Sequence, residues 1–512
     1  MKIGFIRPPH LLWQIIGTTS DNFLMPLNFM ALAAFLREKG RDDEIKIIDC
    51  PPFSIGWKSL GKILQQEKFD IACVSGITIY VNEMTRLLKI VKEINPKTIT
   101  IGGGIHYTAL PEESLENRDL DFIVRGEGEV TLLELILELH KHSPNFYNIK
   151  GLAFRSNGGI VKTEPRELIE NLDSLPMSAY DLVPVEKYNV KGARFYGGAT
   201  MEHSRGCAFN CKFCACWPIM GEREIINGKE IIYPKWRTKS PERTVDEIEY
   251  LYKKYNKKVY LFVDNTFNFD SNWNREFSEL ILRKGLKIEY RAYVRPDLML
   301  RDEEEGILGL MVKAGFNSAL IGIERPDDIE LKELNKDISI EQVKRLGYLV
   351  KKKYPQLFIM GTFITGIRSE SKESFKKLAK SYLELNSIIG WVASLILTPS
   401  PGTLAWEEAK QKGWIEIEDY SQHDWFHPIM SSEYLSRKEI FQLNLNLISK
   451  RIAQPIFILK GLFSRSETKR KMFWNVFFTG FRIKFEIIKK GGNPFKITQE
   501  KFQMRKPTWY DS

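Results

Sequence analysis

Two stretches of this chain alternate short apolar runs with helical patterns, and this alternation limits the possible folds more than any other feature. The first stretch contains KIGFI, EIKIIDC, IACVSG, TITIGGG and DFIVRGEGE, separated by helix-like segments such as LNFMALAAFLREKG. Short apolar strands that alternate with helices are typical of a parallel sheet buried on both faces. The sequence therefore predicts an α/β protein whose first domain, residues 1–145, is a doubly wound sheet.

The second stretch, residues 196–425, repeats the pattern with KVYLFVDN, IEYRAYV, SALIGIE, FIMGTFITG and SLILTPS. Its six strand and helix pairs predict a partial (β/α)6 barrel, whose chemistry takes place at the carboxyl ends of the strands. Residues 146–195 are polar and marked by proline, as in NLDSLPMSAYDLVP, and are predicted to be a linker. Residues 426–512 are predicted to form a helical carboxy-terminal domain.

Doubly wound sheets bind ligands beyond the carboxyl ends of their strands, where this sequence places glycine and polar residues. Glycine at these positions allows a ligand to approach the backbone closely. Each single glycine is equally well explained by a tight turn between strand and helix, but several strand ends together favour a cofactor crevice. The candidate residues are Pro9, His10, Asp49, Cys50, Ser75, Gly76, Gly103, Gly104, His106, Gly126 and Glu127.

Composition places few limits on the partner. The formal net charge of +10 is compatible with nucleic acid, anionic lipid or an acidic small molecule. No signature of an RNA-binding module is found, so nucleic acid is not expected. The sequence shows neither a secretion signal nor a membrane-spanning apolar run, and a cytoplasmic protein is expected. In that reducing compartment, clustered cysteines bind metal or do redox chemistry more often than they form disulfides.

Four of the six cysteines lie within ten residues, in HSRGCAFNCKFCACW. Zinc ribbons and fingers join two ligand pairs, and the sequence has no second pair of this kind. Three closely spaced thiolates can instead hold three irons of a [4Fe–4S] cluster and leave the fourth iron open to an exogenous ligand. Cys207, Cys211 and Cys214 are the predicted ligands, and Cys216 is predicted to be a packed thiol.

The spacing CxxxCxxC after a strand resembles the signature of radical S-adenosylmethionine (SAM) enzymes, and later motifs agree with it by position. In that family the open iron chelates SAM, and an electron from the cluster cleaves SAM to a 5′-deoxyadenosyl radical. The resemblance implies SAM contacts at successive strand ends and an external electron donor such as ferredoxin or flavodoxin. The matching residues are Phe213, Asp264, Arg291, Arg295, Glu324, Gly361 and Gly366.

The amino-terminal half, through LNFMALAAFLREKG, IGGGIHYTALPEE and FIVRGEGE, looks like the Rossmann-like cobalamin-binding domain of class B radical SAM enzymes. The carboxy-terminal segment is similar, less specifically, to the anaerobic magnesium-protoporphyrin ester cyclase branch. The implied cofactors are cobalamin, a [4Fe–4S] cluster and SAM. Because the corrinoid pattern DxHxxG is absent, cobalamin is expected to bind without a histidine ligand to cobalt.

This resemblance implies an enzyme that modifies an unactivated carbon of a hydrophobic substrate, by methyl transfer. Oxidative cyclisation of a tetrapyrrole-like substrate and a non-catalytic corrinoid-binding protein are the alternatives. A methylthiotransferase that modifies RNA is disfavoured, because it needs a second set of three cysteines that Cys50 and Cys73 cannot supply.

The segment from residue 450 to 490 is basic and aromatic, with eleven Lys or Arg residues against Glu467 and Glu486. Basic aromatic helices suit an anionic membrane surface or a groove for a large apolar substrate. A plain helical cap over the barrel is the alternative. We expect a lipid or tetrapyrrole substrate and peripheral membrane association through this segment. The residues expected to take part are Lys469, Arg470, Lys471, Phe473, Trp474, Phe477 and Phe478.

Overall fold

The computed structural model describes residues 1–10, 24–39, 42–188, 198–452 and 509–512, and the single residues 463, 470, 474, 478 and 485. The strands of the first sheet are β1 (Lys2–Arg7), β2 (Glu44–Asp49), β3 (Ile71–Ser75), β4 (Ile99–Gly103), β5 (Phe122–Val124), β6 (Leu152–Ser156) and β7 (Gly159–Lys162). The accompanying helices are α1 (Leu27–Glu38), α2 (Trp57–Glu67), α3 (Val81–Ile94), α4 (Ile105–Ala109), α5 (Pro111–Ser114) and α6 (Glu129–Leu139).

The strand order of the first sheet is β2-β1-β3-β4-β5-β6-β7. Strands β1 to β5 are parallel, which confirms the doubly wound arrangement. Strands β6 and β7 add to the edge in antiparallel orientation, so part of the predicted linker belongs to this sheet. The carboxyl ends of β1, β3, β4 and β5 therefore meet at one edge, where open parallel sheets bind their ligands.

Both faces of this sheet are covered, because alternate side chains of each strand enter two different apolar clusters. Ile3 and Phe5 of β1 pack in one cluster with Phe29 of α1. Ile6 of the same strand packs on the other face with Leu60 of α2. Continuous apolar runs such as KIGFI are thus explained by burial on both sides.

The second half of the chain contains β8 (Ala199–Met201), β9 (Ser204–Cys207), β10 (Glu222–Ile226), β11 (Lys229–Tyr233), β12 (Lys235–Thr238), β13 (Val259–Phe262), β14 (Glu289–Val294), β15 (Phe316–Glu324), β16 (Phe358–Thr365) and β17 (Trp391–Ile396). Its helices are α7 (Cys216–Met220), α8 (Pro241–Tyr255), α9 (Ser271–Arg283), α10 (Pro296–Glu304), α11 (Ile307–Lys313), α12 (Asp328–Glu333), α13 (Ile340–Lys353), α14 (Lys372–Ile388), α15 (Leu404–Gln411) and α16 (Arg437–Ile452).

Six of these strands form an open parallel sheet in the order β17-β16-β15-β14-β13-β8, which confirms the partial barrel. A two-stranded antiparallel ladder of β9 and β12 and a hairpin of β10 and β11 stand beside it. Both additions follow β8 directly, so they lie near the carboxyl end of the first barrel strand. The cysteine motif begins at the last residue of β9 and is thereby held at that end of the barrel.

The local sequence starts several barrel helices at defined residues. The Ser240 hydroxyl accepts a hydrogen bond from the Arg243 backbone N–H, and Pro241 occupies the first helical position of α8. Ser339 and Gln342 form a reciprocal capping box at the start of α13. These caps fix where each helix leaves its strand-end loop.

Most of the segment between α16 and residue 509 lies outside the described residues, including Lys469, Lys471, Phe473 and Phe477. Of the predicted aromatic set, Trp474 and Phe478 are described, and their stacked rings lie 5.4 Å apart between centroids. The chain then returns to the first sheet, where the Trp57 backbone N–H donates to the Tyr510 carbonyl oxygen. Over the part of the chain that is described, no helix has the length and apolar character needed to cross a membrane.

Candidate functional site

The cysteine loop leaves β9 through Gly206, which has a φ of +82°. A Cβ at this position would lie 2.0 Å from the carbonyl oxygen of Lys235 on β12. Only glycine therefore allows the two strands of the ladder to approach each other here. Cys207 and Cys211 are buried, and Cys214 is half-buried.

Backbone hydrogen bonds attach the loop to the barrel rim. The Lys212 N–H donates to the Leu334 carbonyl oxygen at 2.9 Å, and the Ala405 N–H donates to the Lys212 carbonyl oxygen at 3.0 Å. The Trp217 indole N–H donates to the Cys211 carbonyl oxygen at 3.0 Å. Contacts from two distant parts of the chain, and one from the nearby helix α7, therefore determine the path of the loop between its second and third cysteines.

Cationic side chains from later strand ends surround the loop. The Arg295 guanidinium carbon lies 3.7 Å from the centroid of the Phe209 ring, and Lys336 Nζ lies 3.3 Å from Glu324 Oε1. Burial raises the pKa of the Cys211 thiol to about 11, while the charges of Lys336 and Arg295 act to lower it. These cations would favour the thiolate forms and the net negative charge of a thiolate-bound cluster.

A hydrogen bond between the Cys214 and Cys216 thiols lowers the pKa of Cys214. Cys216 begins α7 and keeps a raised pKa, because the same hydrogen bond and burial favour its neutral form. Among the described residues, no three His, Cys, Asp or Glu side chains already converge on a metal position. The fit of a [4Fe–4S] cluster therefore depends on the donor chemistry of three thiols on one loop, beside two cations.

Asp264 follows β13 and lies beneath the strand that leads to the loop. Its Oδ1 accepts hydrogen bonds from the backbone N–H groups of His203 and Ser204, at 2.9 and 2.5 Å, and from the Ser204 hydroxyl at 2.6 Å. Burial raises the pKa of Asp264 to about 7. The carboxyl group thus holds the backbone just before the first cysteine.

The other residues expected to contact SAM are either buried on barrel strands or packed against an apolar cluster. Arg291 is buried on β14, and Glu324 is buried at the end of β15 with a φ of +62°. Phe213 is partly buried against an apolar cluster that includes Ile364. The structure thus brings Arg295 and Glu324 into the electrostatic surroundings of the cysteine loop.

The two glycines from FIMGTFITG pack against apolar side chains. A Cβ at Gly361 would lie 2.4 Å from Ile323 Cδ1, so this glycine makes room for a neighbouring strand residue. Gly366 has a φ of +77°, and its backbone N–H donates to Glu370. Both positions require glycine for structural reasons, whatever else they contact.

A cavity of about 480 Å³ lies beyond the carboxyl ends of the first sheet. A Cβ built on Gly103 would meet only the Val124 carbonyl oxygen, at 3.5 Å, so the space above this glycine is open. This open glycine floor fits the close approach of a large planar cofactor. Seven of the predicted crevice residues line the cavity, namely His10, Ser75, Gly76, Gly103, Gly104, Gly126 and Glu127.

The remaining candidates of the first sheet are placed elsewhere. Asp49 accepts hydrogen bonds from Arg7 and from the Tyr188 hydroxyl, and Cys50 is fully buried. His106 is buried beside Tyr420, with ring centroids 5.2 Å apart, and its Nδ1 lies 3.4 Å from Thr78 Oγ1. Pro9 is also buried but is not among the residues that line the cavity.

The chain segments on both sides of the cysteine loop line the cavity. Glu202 and Arg205 precede the loop and line the cavity, and Ile219 and Met220 follow the loop and line it as well. Every residue between them is therefore within a short chain distance of the cavity wall. Cys207, Cys211 and Cys214 themselves are not among the residues that line the cavity.

Several residues of this site carried no recognisable sequence signal. Lys336 lies in an ordinary loop before α13, and Phe209 lies between two cysteines without belonging to the ligand spacing. Tyr80, whose ring lies 3.8 Å from that of His10 between centroids, lines the cavity from a short 3-10 turn. Thr266, which lies 3.5 Å from Cys207 Sγ, could have been found from its place in the strand-end motif DNTF.

Two family models match this chain. The model of the radical SAM superfamily matches residues 201–381, and the model of the B12 binding domain matches residues 13–136. The first range contains the cysteine loop and most of the barrel strands. The second contains the carboxyl ends of β3, β4 and β5, which line the cavity.

The chain is also similar to known proteins along most of its length. An uncharacterised methyltransferase of Pyrococcus horikoshii is 30% identical over 470 residues, which is 90% of this chain and 95% of that protein. An anaerobic magnesium-protoporphyrin IX monomethyl ester cyclase of Rubrivivax gelatinosus is 26% identical, over 92% of this chain and 80% of that protein.

Among solved structures, the cobalamin-dependent SAM radical enzyme OxsB, with aqua-cobalamin and SAM bound, superposes with a TM-score of 0.68. It shares 16% identity, and the match covers 95% of this chain and 72% of that one. At this level of identity the superposition shows a common fold, in which both the sheet with the cavity and the barrel take part.

Proposed function

Because the chain belongs to the radical SAM enzymes that carry a B12-binding domain, we propose that it transfers a methyl group to an unactivated carbon of a large hydrophobic substrate. The observation that carries this proposal is that the chain segments before and after the cysteine loop line the cavity with its open floor at Gly103. A site of this kind places two cofactors beside one another at the mouth of the barrel. Its cofactors are a [4Fe–4S] cluster, SAM and cobalamin.

Residues of this chain would hold each of these groups. Cys207, Cys211 and Cys214 would ligate the cluster, and the open floor at Gly103 would accept the corrin. When bound, these groups supply a radical that abstracts hydrogen and a methyl group for transfer. Arg291 is buried within β14, and Arg295 and Glu324 are buried at strand ends. All three would bind and orient the polar portions of SAM.

The protein's own contribution is to position these groups and exclude water. The cations beside the loop favour thiolate ligands, and burial of Cys207 and Cys211 keeps solvent from the cluster. Arg295 is itself fixed by Asp297, at 3.0 Å, and by the Asp337 carbonyl oxygen, at 2.8 Å. A guanidinium held in this way has little freedom to lose when it binds a carboxylate.

A large hydrophobic substrate is supported by two features. Trp474 and Phe478 stack on each other while exposed to solvent, and neither is among the residues that line the cavity proposed for the corrin. The cyclase relative acts, by its name, on a magnesium-protoporphyrin ester. The proposed substrate is accordingly a lipid or a tetrapyrrole. A ferredoxin or flavodoxin would supply electrons to the enzyme.

The cyclase relative also supports a second candidate function, oxidative cyclisation of a tetrapyrrole. The same cofactors serve both reactions, and the chain is 26% identical to that enzyme over 92% of its length. Methyl transfer takes precedence because the relative at 30% identity is described as a methyltransferase and matches almost end to end.

The decisive experiment is anaerobic reconstitution with iron, sulfide and cobalamin, followed by incubation with a reductant and lipid or tetrapyrrole extracts. SAM labelled in its methyl group is added, and products are followed by mass spectrometry. Methyl transfer predicts label in a substrate-derived product together with 5′-deoxyadenosine. A product that forms with 5′-deoxyadenosine but never carries the label would favour cyclisation. Protein that loads neither cluster nor cobalamin would contradict both functions.

We also propose that the basic segment from residue 450 to 490 brings the protein to an anionic membrane surface, and this part of the proposal is tested separately. Basic residues near an anionic surface contribute about 1 kcal/mol each, so binding to anionic liposomes is expected to weaken with salt. Replacing Lys469, Arg470 and Lys471 together by Glu should abolish co-sedimentation. Equal absence of binding to anionic and neutral liposomes would leave the segment as a cap on the barrel.

A further inference from the structure

The first sheet and the cysteine loop are joined by a cluster of buried charges that the proposed chemistry does not use. Glu127 lies in the turn after β5 and Glu129 begins α6, so both belong to the cavity edge of the first sheet. Arg205 lies two residues before Cys207 on β9, and Arg237 lies on β12. The four side chains are each less than one tenth exposed.

The two arginines are direct neighbours in the antiparallel ladder of β9 and β12, where Arg205 pairs with Arg237 in register. Like charges directly opposite each other destabilise a strand pair. Glu127 lies between them, with Oε1 at 3.3 Å from Arg205 Nη1 and at 3.0 Å from Arg237 Nη2. The ladder that leads into the cysteine loop thus depends on a carboxylate from the other domain.

The arginine and glutamate side chains also form hydrogen bonds of defined geometry. Arg237 donates through Nη1 and Nη2 to the two oxygens of Glu127, each at 3.0 Å. Arg205 extends from Glu127 to Glu129, with Nη2 at 2.8 Å from Glu129 Oε1, and its Nε lies 3.1 Å from Glu202 Oε1. Bidentate guanidinium pairs fix relative orientation better than a point charge does.

These groups also border the cavity. Glu127, Glu129, Glu202 and Arg205 all line it, while Gly126 and Gly128 flank Glu127 in the turn. A shift of this turn would therefore move the cavity edge and the strand before Cys207 together. Burial acts to raise the pKa of Glu127, but Arg205 and Arg237 outweigh it and hold the pKa below its ordinary value.

We propose that Arg205 and Arg237, together with Glu127 and Glu129, are positioning residues that set the cobalamin-binding edge at a fixed distance from the cysteine loop. This inference rests on the proposed function, since it concerns the two cofactors that the function requires. None of the four side chains needs to touch a reacting atom. Their role is to hold two separately folded elements in register, so that what binds in the cavity faces what binds on the loop.

The test measures the magnetic interaction between reduced cluster and cob(II)alamin by electron paramagnetic resonance of the reconstituted full chain. Such relaxation enhancement depends steeply on the distance between the two centres. The variants are Glu127→Gln and Glu129→Gln, which keep shape and remove charge. The control is Asp181→Asn, which breaks the exposed ion pair with Arg37, 2.7 Å long, between α1 and the connecting segment.

Wild type and Asp181→Asn are expected to show enhanced relaxation of the cob(II)alamin signal. Both glutamate variants should lose this enhancement when samples with equal iron and cobalamin contents are compared. If Glu127→Gln fails to fold, Glu129→Gln decides the matter, because it leaves the pair of Glu127 and Arg237 intact.

Glu129→Gln protein with wild-type relaxation would overturn the inference. So would a lower unfolding temperature without any change in relaxation, because the four buried charges would then only stabilise the fold. Wild-type protein that takes up no cobalamin would instead defeat the proposed function itself. The two failures are therefore distinguished by the cofactor content of the wild type.

Discussion

The guanidinium of Arg295 stacks on the ring of Phe209, with its central carbon 3.7 Å from the ring centroid. Arg295 comes from the loop after β14, and Phe209 lies between the first two cysteines of the motif. This contact joins the loop to a strand end on the other side of the barrel mouth. It also limits the conformations that the two cysteines flanking Phe209 can adopt.

Phe209→Leu is expected to loosen the cysteine loop, because a desolvated cation–π contact contributes about 2 kcal/mol. Cluster retention after gel filtration should fall, and the unfolding temperature should decrease. Phe209→Tyr, which preserves the aromatic face, is the matched control and should behave as wild type. Equal cluster retention in the Leu and Tyr variants would show that the stacking contributes nothing to the loop.

Replacing Cys207, Cys211 or Cys214 by Ala should remove the cluster, since three thiolates are its whole predicted protein ligand set. Cys216→Ala should keep it, because this thiol only donates a hydrogen bond to Cys214. Iron and sulfide analysis with electron paramagnetic resonance provides the measurement. A full cluster in Cys211→Ala protein would be incompatible with the assigned ligands.

Gly103→Trp should abolish cobalamin binding, because its side chain would fill the open space above the cavity floor. Gly61→Trp on α2 is the control, since a Cβ there meets nothing within 4 Å. Ultraviolet–visible spectra of reconstituted proteins report the bound corrin. The same cobalamin content in both variants would place the corrin away from this floor.

His106 should make folding stability depend on pH. Burial lowers its pKa from 6.5 to about 4, so the unfolded chain binds a proton before the folded protein does. Stability from this group is therefore fully present above pH 6.5 and is lost as the pH falls toward 4, by about 3 kcal/mol in total.

The measurement for His106 is urea unfolding of wild type and His106→Gln at several pH values. The difference in unfolding free energy between the two should shrink as the pH falls through this range. His140→Gln, at an exposed position after α6, serves as control. A difference that stays constant between pH 7 and pH 4 would contradict the assigned cause.

The sequence by itself determined the elements and the donor set of the site. Alternating apolar runs are local properties, so they predicted the parallel strands of both sheets. The spacing of Cys207, Cys211 and Cys214 is also local, because all three predicted ligands lie on one loop. Strand-end glycines such as Gly103 predicted a ligand crevice, and a cavity lies at that edge because parallel strands bring their carboxyl ends together.

Only the tertiary structure decided which side chains near the strand ends line the same cavity. Pro9, Asp49, Cys50 and His106 lie near strand ends as Ser75 and Gly76 do, yet they do not line the cavity. Asp49 pairs instead with Arg7 and Tyr188, and His106 packs beside Tyr420. The antiparallel addition of β6 and β7 to the first sheet was likewise not visible, since a polar segment carries little periodicity.

The long-range charge pairs depended on the tertiary structure most of all. Glu127 and Arg205 are far apart in the chain, and each looks like an ordinary polar residue of a turn or a strand. Their meeting requires the ladder of β9 and β12 to stand against the turn after β5, and no local pattern encodes that contact. Local periodicity fixes which elements form and which ligands they carry, whereas the packing of distant elements determines which of those side chains act together.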